Sequence, residues 1–291
     1  MGMKRVTEVM LGLLVAAAVC LTSCSPTPAE DVYVIQGTFE HTAVRIKVNG
    51  IPVWQSDEGD AQESAQQING YLKRGRNTVD ITLRGLRAET SPKLGLLIGR
   101  FADGDLETAP EILFRLGKGG TPARLPFNET IVFEAPDYPQ LSLWLAEPTV
   151  VNEQAKLDIL ADLAAVHEKF KAALATKDAV QIVDVMMGLP AIGDLRLSAG
   201  EGAVDEVRKQ MTDIVMQALS DPGVQMSTVT LPSVDELEAE PVTPQHFQIS
   251  RKGGGALTGI AFVMPSGRTA GLFVQQPLYG RVGGKWTLLR N

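Results

Sequence analysis

The chain has 291 residues, which is enough for two ordinary domains, and a formal net charge of −7. This acidic balance argues against nucleic acid or anionic lipid as the main partner. Beyond the N-terminal region, no stretch of the sequence is long and apolar enough to span a membrane.

The N-terminal region has the layout of a secretory signal. Lys4 and Arg5 precede an apolar run, Val9 to Leu21, that is too short to span a bilayer. The run ends in Leu-Thr-Ser-Cys, which resembles the lipobox of bacterial lipoproteins. The resemblance implies a signal peptide at 1–23 and a lipid on Cys24, with several acyl chains giving stable anchoring. An ordinary signal peptide cut elsewhere, with Cys24 as a spare thiol, is the alternative.

Residues 24–30 are small, polar and proline-rich after the cysteine, which predicts a tether between lipid and protein. Ser25 follows Cys24 where an aspartate would resemble an inner-membrane retention signal, so we expect an outer-membrane protein facing the periplasm. Cleavage would leave Cys24 as the sole cysteine, and the lipid would consume its thiol. This predicts no internal disulfide, no thiol nucleophile and no Cys-type zinc site.

Residues 31–147 are predicted to form an all-β sandwich. Val44–Val48 alternates apolar and basic residues, Asn49-Gly50 is a strong hairpin signal, and Pro52 indicates an edge strand. Short strands joined by Gly/Pro turns, without a convincing helix, favour a sandwich. Further strands are predicted at Ile51–Trp54, Val79–Leu83, Leu94–Phe101, Ile112–Leu116, Thr130–Glu134 and Leu141–Leu145.

The segments VNGIPVW and LKRGRNTVDITL together resemble the jelly-roll modules attached to many glycosidases. The resemblance implies a jelly-roll-like sandwich that often binds carbohydrate, with Trp54 as a sugar-stacking platform. Packing of Trp54 on the core or a neighbouring loop is the interpretation we prefer. Asp103–Glu107 lacks the glycine and glutamate of a calcium loop, so an acidic surface loop is predicted.

Residues 150–291 have a different pattern, which begins with a helical period. A first long helix is predicted from Glu153, a second begins at Asp178 with Gln181 as its N3 partner, and a third ends at Asp221. A short strand is predicted near Leu195. The apolar face of the first helix is given by Leu160, Leu163, His167, Phe170 and Leu174. Later strands are predicted at Val224–Leu231, His246–Arg251, Leu257–Met264, Thr269–Gln275 and Lys285–Leu289.

This element order is α+β and resembles the NTF2-like fold, in which helices pack on a curved antiparallel sheet. The ending YGRVGGKW, up to Trp286, is similar to the last hairpin of that family. The acidic stretch Pro232–Pro244 departs from the family, and we predict that it is an inserted mobile loop. The fold hosts both enzymes and inert binders, so it does not decide the function.

His167 is the most interesting polar side chain, because it lies on the apolar stripe that would line an NTF2-like cavity. With Asp184 of the next helix it could act as a general base, whereas the preferred interpretation is a hydrogen-bonded core histidine. The segment from His167 begins like HExxH, but Lys171 occupies the second ligand position. No metal site, cofactor or catalytic residue is therefore predicted.

These observations predict a lipid-anchored, non-enzymatic envelope protein that binds a protein partner or a cell-wall component. An immunity factor that neutralises an incoming toxin is one form of such a protein. Two alternatives remain: carbohydrate binding by the sandwich through Trp54, and small-molecule binding or catalysis in the C-terminal cone through His167.

Overall fold

The computed structural model describes residues 31–56, 62–86, 94–117, 120, 124–267 and 269–290. The predicted signal peptide 1–23 and tether 24–30, with Cys24, lie outside these residues. The chain divides into two compact units: the first ends at Leu141 and also takes in Leu197–Gly202, and the second begins at Ser142. The predicted order, β-sheets in the N-terminal half followed by helices and further antiparallel sheets, is confirmed.

The described residues of the first unit form two four-stranded antiparallel sheets, with strand orders β4-β1-β6-β7 and β3-β2-β5-β8. Their strands are β1 Val32–Phe39, β2 Thr42–Val48, β3 Ile51–Ser56, β4 Gln62–Gln67, β5 Gly75–Gly85, β6 Leu94–Phe101, β7 Glu111–Leu116 and β8 Phe127–Ala135. Strand β3 is an edge strand, as the proline at its second position predicts.

Alternating side chains explain why the two sheets face each other. Along β2 the apolar residues are buried and the basic ones point outward, the pattern of a strand with one covered face. Aromatic rings pair between the sheets: Tyr33 of β1 stacks on Phe133 of β8 with centroids 5.2 Å apart, and Phe114 of β7 lies 6.3 Å from Phe127 of β8. The arrangement is sandwich-like.

A buried amide fixes the turns at one end of this unit. The β2–β3 hairpin turns at Asn49 and Gly50, with φ of 51° and 85°. Asn77 is fully buried, and its oxygen accepts from Asn49 Nδ2 at 2.8 Å and from Lys73 N at 2.9 Å. Its Nδ2 donates to the carbonyls of Lys73 and Gly75, each at 2.8 Å. One side chain therefore holds two turns together.

The second unit begins its regular structure with three helices. Helix α1 spans Glu153–Thr176, α2 spans Ala179–Met187 and α3 spans Pro190–Ser220. Asn152 caps α1 by accepting from Ala155 N, and Asp178 caps α2 as predicted, accepting from the amides of Val180 and Gln181. Gly200 interrupts α3 with a non-helical φ of 79°.

In the part of the chain that the structure describes, seven strands follow in two antiparallel sheets, with orders β10-β11-β14-β15 and β13-β12-β9. They are β9 Gln225–Thr228, β10 Leu237–Pro241, β11 Phe247–Arg251, β12 Thr258–Val263, β13 Thr269–Val274, β14 Leu278–Val282 and β15 Lys285–Arg290. Helix α1 packs against strands of both sheets through fully buried Ile159, Leu163 and Phe170. The core of this unit therefore lies between that helix and the sheets.

Two strand predictions are wrong. Leu195 lies within α3, which begins with a proline at its first helical position, where the missing N–H costs nothing. Leu141–Leu145 forms a 3-10 turn over Ser142–Leu145 instead of a strand. Its alternation of leucines meets the spacing of a strand, but its N–H groups bond to a carboxylate of α3.

The prediction of a mobile loop at Pro232–Pro244 is also wrong. Ser233 and Glu236 form a reciprocal capping box, and the chain then enters β10, which pairs with β11. Leu237 is buried on this strand, while Glu238 and Glu240 point to solvent. Buried and exposed side chains therefore alternate as in an ordinary strand, although the segment is rich in charged residues. Gly253, Gly254 and Gly255, which follow β11, lead the chain from one sheet of this unit to the other.

Replacing Asn77 by Ala should lower the free energy of unfolding by about 2–4 kcal/mol, because it leaves buried backbone and amide groups without partners. Urea unfolding followed by circular dichroism measures this loss. Asn128→Ala, at an exposed position of the same sheet, is the matched control and should change stability by less than about 0.5 kcal/mol. Equal losses in both variants would contradict the role given to Asn77.

Candidate functional site

The predicted lipid attachment residue, Cys24, lies outside the described residues, so its role stays a prediction. The other predicted positions, Trp54, His167 and Asp184, all lie on regular elements. Each contacts defined neighbours.

Trp54 lies on edge strand β3, in register with buried Ile46 of β2. Its ring is half-buried and meets the ring of Phe39 edge-on, with centroids 5.1 Å apart and an interplanar angle of 82°. Phe39 is fully buried on β1 of the opposite sheet. Trp54 thus spans the gap between the sheets, which is an arrangement typical of packing, and its sugar-stacking role stays a hypothesis.

His167 lies on α1 and is half-buried. Its Nδ1 is 3.3 Å from the hydroxyl oxygen of Thr258, a fully buried residue of β12. Asp184 lies on α2, where it is half-exposed and forms an ion pair with Arg208 of α3. Among the described hydrogen bonds, His167 and Asp184 share none, so the structure does not bring the predicted base and its carboxylate together.

A carboxylate that the sequence analysis missed lies on the other flank of α1. Asp162 accepts a hydrogen bond of 2.8 Å from the hydroxyl of Tyr279 on β14, and Tyr279 is fully buried. Asp162 and His167 are five residues apart, which separates them by about 140° around the helix axis. Among the described hydrogen bonds, Asp162 to Tyr279 and His167 to Thr258 join helix α1 to the two sheets.

Burial controls the electrostatics of the Asp162–Tyr279 pair. It raises the pKa of Asp162, and the Tyr279 hydrogen bond and the Lys169 charge oppose that rise. It also raises the pKa of Tyr279, as does the neighbouring carboxylate. The tyrosine therefore stays a hydrogen-bond donor, and the pair is suited to holding α1 against its sheet.

A second missed cluster holds the segment that leads into α1. Residues 142–149 are called the connector here. Asp194 of α3, buried to 2% exposure of its side chain, accepts from Ser142 N at 2.7 Å, from Ser142 Oγ at 2.8 Å and from Leu143 N at 3.4 Å. Arg290 of β15 forms an ion pair with the same carboxylate at 3.0 Å. This carboxylate therefore caps the 3-10 turn with its charge already balanced.

His246 holds the connector from another side. It is 1% exposed, its Nε2 is 2.7 Å from the carbonyl oxygen of Leu143, and its Nδ1 is 2.7 Å from the hydroxyl of Thr243. The ring of Trp144 meets the imidazole edge-on, with centroids 5.4 Å apart. Further along, Glu147 N donates to the carbonyl of Arg281 at 2.8 Å.

Ser142, Asp194 and His246 are the residue types of a catalytic triad, but their hydrogen bonds do not follow that order. The serine hydroxyl donates directly to the aspartate, whereas the histidine bonds to a backbone carbonyl and a threonine. No imidazole stands between nucleophile and carboxylate to accept a proton, as the triad mechanism requires. The cluster instead holds the backbone of the connector in place.

Comparisons of this chain with protein-family models, with curated proteins and with solved structures gave no match. Within the described residues, no group of three or more His, Cys, Asp or Glu side chains is arranged to hold a metal ion. In the same part of the chain, no helix has both the length and the apolar character needed to cross a bilayer.

Replacing Asp162 by Asn should stabilise the second unit by up to about 1 kcal/mol at neutral pH, because the amide oxygen still accepts the Tyr279 proton without burying a charge. A raised folded-state pKa means that the stability contributed by Asp162 is present below its usual pKa and is lost as the pH rises through the folded value. The variant should lack that loss. Urea unfolding at about pH 4 and about pH 7 measures it.

Asp158→Asn, one turn earlier and exposed beside Gln154, is the matched control and should keep the pH dependence of the unaltered protein. A variant at Asp162 that unfolds with unchanged pH dependence would contradict the assignment.

Proposed function

We propose that this chain is a lipid-anchored protein of the bacterial cell envelope that binds a protein partner or a cell-wall component and catalyses no reaction. The observation that carries the proposal is the tetrapeptide Leu21 to Cys24 at the end of the apolar run that begins at Val9. The residues before the cysteine are small or leucine, as in a lipobox, and the run has the length of a signal peptide. Ser25 after the cysteine favours the outer membrane, facing the periplasm.

The contacts of the second unit support binding over catalysis. Its described polar clusters join elements of the protein's own fold: Asp162 meets Tyr279, Asp184 meets Arg208, and Asp194 holds Ser142. Catalytic groups are usually held ready for a substrate instead, with a base placed beside a nucleophile. We therefore propose that the two units bind a partner through their surfaces, while the tether connects them to the lipid anchor.

The finer fold assignments belong to the same proposal. We infer a jelly-roll-like topology for the first unit and an NTF2-like arrangement for the second. The packing of α1 against strands of both C-terminal sheets supports the second inference, since an NTF2-like sheet wraps its first helix.

Cys24→Ala should abolish incorporation of a radiolabelled fatty acid when the protein is expressed in a bacterium, because the acylated thiol is missing. Cys20→Ala is the matched control: it removes the other cysteine, within the apolar run, and labelling should persist. Membrane fractionation of both variants gives a second readout, with only Cys24→Ala released from the membrane. Continued labelling of Cys24→Ala would refute the anchor.

We also propose that residues 31–147 and 150–291 are separate domains, each unfolding cooperatively when expressed alone. A third fragment, 142–291, keeps the connector and should be more stable than 150–291 by about 2 kcal/mol or more, because Asp194 keeps its buried donors. Thermal and urea unfolding of the three fragments measure this. If 31–147 and 150–291 both fail to fold alone, the proposed boundary is wrong.

A further inference from the structure

We propose that the connector is a latch that neutral His246 holds closed, and that it opens from Leu143 to Thr149 when this imidazole takes up a proton. The proposal goes beyond the envelope function and does not depend on it.

The hydrogen bonds fix the tautomer of His246. A backbone carbonyl can only accept, so the short contact from Nε2 to the Leu143 oxygen places the proton on Nε2. In the neutral ring Nδ1 then carries a lone pair, which accepts from the Thr243 hydroxyl 2.7 Å away. Both ring nitrogens are thus used without any charge on the imidazole.

A proton on Nδ1 would place a positive charge where water has no access. His246 is 1% exposed, and the Trp144 ring packs against it nearly at a right angle. Burial lowers the pKa of His246, and the Leu143 carbonyl opposes this only in part. The neutral ring is therefore the form that fits the closed connector.

Among the residues that the structure describes, no carboxylate forms an ion pair with His246. Asp194 of α3 is paired with Arg290 of β15 and accepts from the first residues of the connector. Arg281 of β14 donates from its Nε to the carbonyl of Gly284, and Glu147 of the connector has an exposed side chain. Since Asp194 is already paired with Arg290, an imidazolium at this position gains most from reaching water.

The connector can move more easily than the strand on the other side of the ring. Phe247, next to His246, begins β11, which is paired on both sides, with β10 and with β14. The connector is held at its far end by the two backbone bonds from Glu147 N and Thr149 N, and Leu145 is exposed. Ser142 keeps its two strong bonds to Asp194, so it serves as the hinge of the opening.

Linkage between protonation and opening gives the direction in which pH changes the stability of the closed connector. A histidine whose folded pKa is lowered contributes stability above its unfolded pKa, near 6.5, and this stability is lost as the pH falls below that value. Local opening of the connector exposes His246 to protonation and leaves the sheets folded. It is a smaller structural change than unfolding of the sheets. Mild acid therefore opens the latch first.

Hydrogen exchange of the full chain, read by mass spectrometry at about pH 7.5 and about pH 5 and corrected for intrinsic exchange, tests the proposal. Protection of peptides covering 143–149 should fall about tenfold for each pH unit below the unfolded pKa, while peptides from α1 and β11 keep theirs. In His246→Gln the amide still donates to Leu143 without titrating, so protection should be independent of pH. His167→Gln, the matched control, should behave like the unaltered protein.

Three results would overturn the latch: protection of 143–149 that does not change with pH, an equal loss in His246→Gln, or a loss shared by α1 and β11. If His246→Gln does not fold, the imidazole of the unaltered chain can be titrated by NMR. A His246 titration that coincides with the loss of protection at 143–149 supports the proposal, and one that does not coincide refutes it.

Discussion

Buried polar side chains that hydrogen-bond to the backbone hold the irregular segments of this protein in place. The cost of burying an amide or carboxylate without a partner exceeds the gain from most apolar contacts, so each such group specifies its surroundings narrowly. Asn77 joins two turns of the first unit. The side-chain oxygen of Asn69 accepts from Tyr33 N, and the backbone oxygen of Asn69 accepts from the Tyr138 hydroxyl. Asp194 and His246 do the same for the connector in the second unit. The sheets and helices supply apolar surface, but these side chains decide where the chain between them runs.

Much of the fold could be predicted because its elements carry their own local signals. The period-2 pattern of Val44–Val48 and the pair Asn49-Gly50 require a hairpin in almost any context, and they form one. The cap at Asp178 is equally local, since its carboxylate reaches amides two and three residues ahead. Such signals depend on neighbours within a turn or two, which is the range that a single sequence displays.

The strand and the polar contacts that were not predicted depend instead on residues far apart in the sequence. Strand β4 reads QESAQQ, which offers no apolar alternation, and it forms because β1 presents its backbone groups for pairing. Asp194 lies in a helical stretch that reads like any surface acid, and only the tertiary fold brings Ser142 to it across 52 residues. His167 drew attention because it interrupts an apolar stripe, whereas Asp162, which makes the shorter hydrogen bond, lies at the margin of that stripe. Polar contacts between distant segments therefore set the candidate site, and sequence periodicity does not record them.

The acidic strand β10 bears on whether two molecules of this protein can associate through their sheet edges. It forms one border of its sheet, where unpaired backbone groups would otherwise invite a strand from another molecule. Glu238 and Glu240 point outward from it, and Pro241 at its end lacks an N–H to donate. A second molecule that added its own β10 there would bring four carboxylates together. The stretch that looked like an inserted loop thus places its charges at a sheet border, where they disfavour the addition of a strand from another molecule.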